Sequence, residues 1–311
     1  MQVTTTTRSV KSNIILLDLK KNKYIYLMVL VVVAWYVIFC YMPMYGAIIA
    51  FKDFSPGLGI TKSPWVGLEN FISFFNDINA WRVIRNTFII NIFDLLWGFP
   101  APIILALLLN EVRSKHFKSS VQTLTYMPYF VSMVVVCGII IDFSSSAGLF
   151  NQILSNFGFA KINLLAKKEL FRTIFIGSGI WQGVGWGSII YLASLTNINP
   201  ELYEAARMDG AGRWNQLCHI TLPGMSSTII ILLILRMGSM MSVGFEKIIL
   251  LYNPLTYETA DVISSYVYRR GLLNFDYSYS TAIGLMNSVL NFMFLIGANW
   301  ISKKYTENSL W

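Results

Sequence analysis

The sequence predicts an all-α, polytopic membrane protein with six transmembrane helices. Three observations predict it. Of the 311 residues, only 13% are charged and 55% are hydrophobic, with a mean hydropathy of +0.56; an ordinary soluble domain carries about 25% charged residues. The apolar residues fall in six runs, each close to the roughly 20 residues a helix needs to cross hydrocarbon. The Lys and Arg behind the net charge of +8 sit in short clusters beside those runs, which suits lipid headgroups better than a nucleic-acid footprint.

Residues 1–23 are polar and basic (Arg8, Lys11, Lys20, Lys21, Lys23) and read as a cytoplasmic N-terminal segment. The first span, 24–50, is longer than the roughly 7–15-residue core of a signal peptide, and no A-x-A-like site follows it. It is predicted as a retained helix. The second span, 87–109, contains Asp94, Pro100 and Pro102. The third, 121–143, contains Pro128, and the fourth, 171–195, is rich in glycine. The fifth, 226–251, contains Arg236, and the sixth is 279–302. Residues 303–311 read as a cytoplasmic tail. No linker or low-complexity tract divides residues 24–302, so they read as one membrane domain. Lys and Arg are only slightly more numerous on the side of the N-terminus, but they are denser there and flank the start of the first helix. Both termini are therefore predicted inside.

The fourth connection, 199–223, is polar yet patterned. Asn199 suits an N-cap and Pro200 the first helical position. Glu201 falls in the first turn, where the helix dipole favours an anion. Leu202, Ala205 and Ala206 repeat at i, i+3, i+4 and form one small apolar face. Gly210 is placed to end this helix in a left-handed conformation. A second short helix is expected from about Ala211 to His219, with Pro223 stopping it before the fifth span.

Within this loop, Glu204-Ala205-Ala206, three residues, Gly210, nine residues, Ile220, one residue, then Leu222-Pro223 resembles the EAA loop of binding-protein-dependent ABC importers. The tripeptide alone is merely a good helix former; the full ungapped spacing, between the fourth and fifth of six spans, carries the resemblance. It implies the type I ABC importer permease fold. It also implies that Glu204, Ala205, Ala206, Asp209, Gly210, Leu222 and Pro223 couple to an ATPase subunit on the cytoplasmic side, with Glu204 offering charge-assisted hydrogen bonds to the ATPase or within the loop. Trp65-Val-Gly-Leu-Glu-Asn-Phe71 resembles a stretch before the second helix of sugar-type permeases. The stretch Phe245–Leu272 resembles the LplB/YtcP-like branch of carbohydrate permeases, associated with oligosaccharides and polysaccharide fragments. The partners this implies are a second homologous permease completing a heterodimer, a dimer of ATP-binding subunits and an extracellular solute-binding protein. The setting it implies is the cytoplasmic membrane of a prokaryote, and the mechanism is alternating access. No bond chemistry is expected of the chain itself.

Ionisable groups inside spans are functional candidates. Asp94 and Arg236 lie near mid-span, where they are expected to pair with each other or with the partner permease, or to touch substrate. Glu246 sits toward the outer end of the fifth span, and Asp142 near a helix end reads as interfacial. Sugars need polar partners for hydroxyls and aromatic rings for their CH faces. Trp97, Trp181, Trp186, Tyr252 and Asn253 are candidates on that ground, although Trp and Tyr also anchor membrane proteins at the interface. Gly179, Gly183 and Gly187 repeat every fourth residue and are expected to form a face for close helix contact.

Several classes are disfavoured. Cys40, Cys137, Cys218, His116 and His219 are scattered, so no metal site is expected. No G-x-x-x-x-G-K-[ST] occurs, so ATP is expected to bind elsewhere. No cofactor is expected: Gly177-Ser-Gly179-Ile-Trp-Gln-Gly183 has the wrong spacing for a dinucleotide fingerprint. An ion-coupled secondary transporter would favour inverted repeats, and none is evident. Neither histidine lies in a span, which disfavours an intramembrane hydrolase.

Overall fold

The computed structural model describes Asp18, residues 20–306 and residues 309–311. Arg8 and Lys11 of the basic N-terminal segment, and residues 307–308 of the tail, lie outside the described residues. Among the described residues there is no sheet, only an isolated bridge between Lys52 and Trp65. The chain runs through α1 (Lys23–Phe51), α2 (Glu69–Asn76), α3 (Ala80–Glu111), α4 (Lys115–Tyr126), α5 (Met133–Ser144) and α6 (Leu149–Asn156). It continues through α7 (Lys168–Thr196), α8 (Pro200–Met208), α9 (Arg213–Met237), α10 (Phe245–Leu251), α11 (Ile263–Tyr268) and α12 (Tyr277–Tyr305), with shorter turns between.

Among the described residues, five stretches are long and apolar enough to cross a membrane: α1, α3, Met133–Asn156, α9 and α12. The expected crossing at 171–195 is α7, a single helix of 29 residues, about 43 Å long. Its five glycines and several hydroxyls dilute its hydropathy but do not break it. The six crossings of the predicted all-α membrane fold are therefore present.

Besides Pro102, which lies two residues after Pro100, three prolines sit inside helices that continue past them. Each follows a wide i→i+5 turn by one residue: Val37–Tyr41 before Pro43, Asp94–Gly98 before Pro100, and Leu217–Thr221 before Pro223. A proline ring clashes with the carbonyl four residues back and leaves it without a donor. One extra residue in the turn moves that carbonyl aside. Pro223 consequently does not stop a helix, as the sequence suggested; Arg213–Met237 is one continuous rod.

Two expected spans are interrupted. The run 121–143 divides into α4, a short turn Met127–Phe130 that holds Pro128, and α5, which restarts on the Ser132 cap. The run 226–251 divides at residues 238–244, between α9 and α10. Gly238, Gly244 and two serines weaken helix formation there. The backbone freed there finds a partner on α12: the Met241 N–H donates to Asn291 Oδ1 at 2.7 Å. Such breaks at membrane depth persist only where a neighbouring helix supplies partners.

The body is built around α7. It lies along Pro100–Glu111 of α3 and against α4. Gly185 is what allows the second contact: a methyl there would sit 2.1 Å from the Thr125 carbonyl oxygen. One buried cluster joins Ile90, Val136, Ile140, Phe171, Ile248 and Val262. A second joins Phe74, Val83, Tyr266, Tyr279 and Ile283, and a third joins Ala106, Tyr191, Leu195 and Met225. None of the most apolar window of α1 is buried within this chain.

Candidate coupling loop and translocation path

The loop after α7 folds from its sequence signals almost residue by residue. Asn199 caps α8, its Oδ1 accepting from the Glu201 N–H at 3.0 Å. Pro200 takes the first helical position. Gly210 has φ 78°. The Ala211 N–H donates to the Ala206 carbonyl at 2.8 Å and the Gly210 N–H to the Arg207 carbonyl at 3.1 Å. These two bonds with a left-handed glycine are the Schellman closure of a helix.

One tie holds α8 to the membrane helices and a second holds the start of α9. The Tyr203 hydroxyl bonds the Thr221 hydroxyl at 2.9 Å, at the root of α9. Arg213 approaches Glu111, at the end of α3, at 3.8 Å. The expected second helix from 211 to 219 is present, but it starts at Arg213 and runs on into α9.

The apolar face of α8 differs from the one expected. Tyr203 and Ala206 turn toward the chain, whereas Leu202 and Ala205 face outward. Leu202 is 51% exposed, Met208 84% and Trp214 73%. Glu204 is exposed and makes no hydrogen bond or ion pair among the described residues, so the within-loop partner considered for it is not formed. Asp209 caps the helix end; Leu222 and Pro223 sit exposed at the start of the straight part of α9. The outcome is a short, capped helix that exposes Leu202, Ala205 and Met208 together with the charged Glu201, Glu204 and Arg207.

In the membrane interior, Asp94 and Arg236 form an ion pair between α3 and α9. Arg236 also donates to Asn91 Oδ1 and to the Ser239 hydroxyl, each at 3.3 Å. Gly98 leaves room for the carboxylate; a methyl there would lie 2.6 Å from Asp94 Oδ1. The pair lines a cavity of about 380 Å³ together with Gly179, Gly183 and Tyr191. The repeating glycines thus do less for helix contact than expected. Gly187 meets Pro102, but Gly183 has nothing within 4 Å, and Gly179 faces Lys247 Nζ. They form a groove in the cavity wall, and Gly185 makes the close approach.

The remaining path candidates scatter. Trp97 lines an adjacent cavity of about 460 Å³ with Phe93 and Arg172. Trp181 lines a separate, nearly all-apolar cavity with Ile139 and Phe143. Trp186 stacks on Tyr129 at 4.7 Å. Glu246 is exposed in the first turn of α10. Tyr252 stacks on Tyr257 at 5.0 Å. Asn253 caps the following turn and donates to the Leu165 carbonyl at 3.1 Å. Only Asp94 and Arg236 meet directly.

Sequence reasoning missed three features. Lys247 is 6% exposed; its Nζ donates to the Phe175 carbonyl at 2.7 Å and lies 4.6 Å from the Phe175 ring. Asp261 is fully buried and takes Arg269 in a fork at 2.8 and 2.7 Å, with Arg82 at 3.4 Å. Asp77 accepts from Tyr266, from Tyr279 at 3.1 Å and from Arg270 at 3.2 Å. Burial pushes the Asp77 carboxyl up, but the bonds from Tyr266, the Asn79 amide and Tyr279 outweigh it and hold it at about 2. The adjacent Arg269-Arg270 pair was the available signal: two guanidinium groups beside an apolar run require carboxylates.

A six-crossing helical body with an outward-facing capped helix between the fourth and fifth crossings defines a multi-pass membrane permease that works with a soluble partner. Residues 98–307 match the family described as "Binding-protein-dependent transport system inner membrane component", and the chain belongs to that family. It is 45% identical to Protein LplB of Bacillus subtilis over 94% of this chain and 92% of LplB. It is 43% identical to YteP of the same organism, a polygalacturonan/rhamnogalacturonan transport system permease protein, over 96% of this chain and 93% of YteP. A chain in the crystal structure of a bacterial ABC transporter involved in the import of the acidic polysaccharide alginate superposes with a TM-score of 0.88 at 44% identity. That likeness covers 94% of this chain and 99% of the other. The expected family and its sugar-permease branch are thereby borne out, and the chain is the permease component of an ABC importer.

Proposed function

We propose that this chain is one half of a heterodimeric pore that passes an oligosaccharide or polysaccharide fragment across the cytoplasmic membrane. A solute-binding protein delivers the sugar outside; a pair of ATP-binding subunits docks on the 199–223 loop inside. The observation that carries the coupling role is α8. Leu202, Glu204 and Met208 are all solvent-facing on a helix closed at both ends by its own sequence, and Trp214 is exposed at the start of α9. Exposed apolar side chains beside a carboxylate without an ion-pair partner form a surface suited to a partner groove edged by a basic residue. Supporting the substrate class, YteP is a polygalacturonan/rhamnogalacturonan permease. The second solved relative is an alginate transporter in complex with its pentasaccharide-bound periplasmic protein.

Within this reading both termini and the 199–223 loop are cytoplasmic, residues 24–302 form the permease domain, and the chain carries out no hydrolysis. ATP closure of the partner subunits draws the paired α8 helices together and rocks the pore open outward; hydrolysis resets it. The Asp94–Arg236 cavity lies on the path, with Trp97 beside it.

The test is reconstitution of the full complex in vesicles with ATP inside and alginate or galacturonate oligosaccharides outside. Glu204→Ala should abolish uptake while membrane insertion and the amount of chain remain normal. Undiminished uptake by Glu204→Ala and by Gly210→Pro would sink the coupling role. Failure of the chain to copurify with an ATPase in mild detergent would sink the assembly.

A further inference from the structure

A cavity of about 530 Å³ lies between α11, the wide turn Arg269–Leu273 and the N-terminal half of α12, away from the Asp94–Arg236 pair. Phe245 and Tyr268, with ring centroids 5.2 Å apart, form one aromatic wall. Another part of the lining is the face of α12 that carries Ser280 and Asn287. These residues lie seven apart, two helical turns along one face.

Three polar atoms on this lining, Ser264 Oγ, Ser280 Oγ and Asn287 Oδ1, are shut off from solvent and find no hydrogen-bond partner among the described residues. Ser280 itself is 6% exposed. Buried polar atoms are ordinarily paired, and each one left unpaired is costly. The missing side chain of Gly271 makes room beside the serine: a methyl there would come 2.8 Å from both Ser280 Cβ and Oγ. No Asp, Glu, Lys or Arg lines the cavity.

We propose that this cavity is a second saccharide subsite, taking the uncharged, hydroxyl-bearing face of one sugar residue. It rests on the reading that the chain passes oligosaccharides. Sugar hydroxyls both donate and accept, so different hydroxyls of one ring can satisfy the serine hydroxyls and, about 10 Å along α12 from Ser280, the acceptor-only Asn287 Oδ1. The sugar's CH face meets the Phe245–Tyr268 wall. A lipid acyl chain would leave all three polar atoms unpaired. A carboxylate would find no cation on the lining, so an acidic sugar must turn its charged edge away. The volume falls within the range of small-molecule sites.

The test uses the complete transporter in nanodiscs, with Cys40, Cys137 and Cys218 replaced by Ser and Ser280→Cys introduced. Alkylation of that thiol is timed with alginate pentasaccharide, trigalacturonate or arabinotriose present. At least one saccharide should slow it threefold or more. An unchanged rate with every saccharide overturns the subsite, since water alone then occupies it. A thiol that reacts in the isolated chain and never in the complex also overturns it, because a partner helix then fills the space. Separately, Ser280→Ala and Asn287→Ala should each raise KM for uptake about three- to tenfold, one hydrogen bond's worth. Maximal uptake and basal ATP hydrolysis should stay within twofold. If unsubstituted transporter takes up a probe and both variants keep its KM, the subsite alone fails. If unsubstituted transporter takes up none of the three, the saccharide reading fails and the subsite with it.

Discussion

Removing the charge of Asp77 should cost stability in a way that disappears with acid. The carboxylate is 11% exposed and is held by Tyr266, Tyr279 and Arg270. Its folded value of about 2 lies below the ordinary 3.8. The lowered value means the folded state prefers the ionised form. Its contribution is therefore complete above about pH 4 and is lost as the pH falls toward 2. The gap converts to about 2 kcal/mol at neutral pH, and the same relation leaves about half of it at pH 3. Asp77→Asn keeps the shape and removes the charge. In mild detergent the variant should melt about 4–6 °C below the unsubstituted chain at pH 7. The difference should halve near pH 3, because other titrating groups are common to both proteins and cancel. A melting difference that stays constant from pH 7 to pH 3 would refute the argument and show that shape alone matters at this position.

Two further perturbations follow from the same geometry. In a double-mutant cycle, Asp94→Asn and Arg236→Met should each destabilise by about 2 kcal/mol, less than a fully buried pair because each group is about one-third exposed to the cavity. Together they should cost clearly less than the sum, with a coupling of about 1–2 kcal/mol; additivity within about 0.5 kcal/mol in thermal melts would remove the pair from the account. Gly185→Ala should cost about 1–3 kcal/mol or prevent assembly, since the methyl meets backbone at 2.1 Å. Gly183→Ala, with nothing within 4 Å, should leave the melting temperature within a degree or two.

Local signals in the sequence were legible wherever one residue sets its own neighbourhood. Asn199, Pro200 and Gly210 each took the expected role, because caps and left-handed turns depend only on nearby backbone. The spans were legible as apolar runs, but their breaks were not. Pro128 and Pro223 present the same residue to the reader, yet one divides a crossing and the other rides on a widened turn. The difference lies in what surrounds the freed backbone, and that is tertiary. The face of α8 was misjudged for a related reason: Tyr203 turns inward to reach Thr221, eighteen residues on, and so turns Leu202 outward. The Asp94–Arg236 pair was one of several options in the sequence and became definite only when α3 and α9 were laid side by side. Asp77 and Asp261 lie outside the spans, where charges draw no notice. Their burial against arginines comes from the outer loops folding over one another.

The continuity of α9 connects the loop to the cavity. Arg213–Met237 spans 25 residues, about 37 Å, with no break between the tie at Thr221 and the ion pair at Arg236. A helix transmits displacement along its axis because its hydrogen bonds resist compression, whereas a glycine-bounded turn absorbs it. Here the turn, residues 238–244, comes only after Arg236. Under the proposed coupling role, a push on α8 would reach the Asp94 contact, about 21 Å from Leu222, before that turn could absorb it. Inserting a kink into the rod should separate the two ends. Ile230→Pro in the assembled complex should leave ATP hydrolysis largely intact and lower uptake at least tenfold, while Ile230→Ala leaves both unchanged. If Ile230→Pro inserts, assembles and transports normally, α9 is not the connecting element, and coupling must run through Arg213, Glu111 and α3 instead.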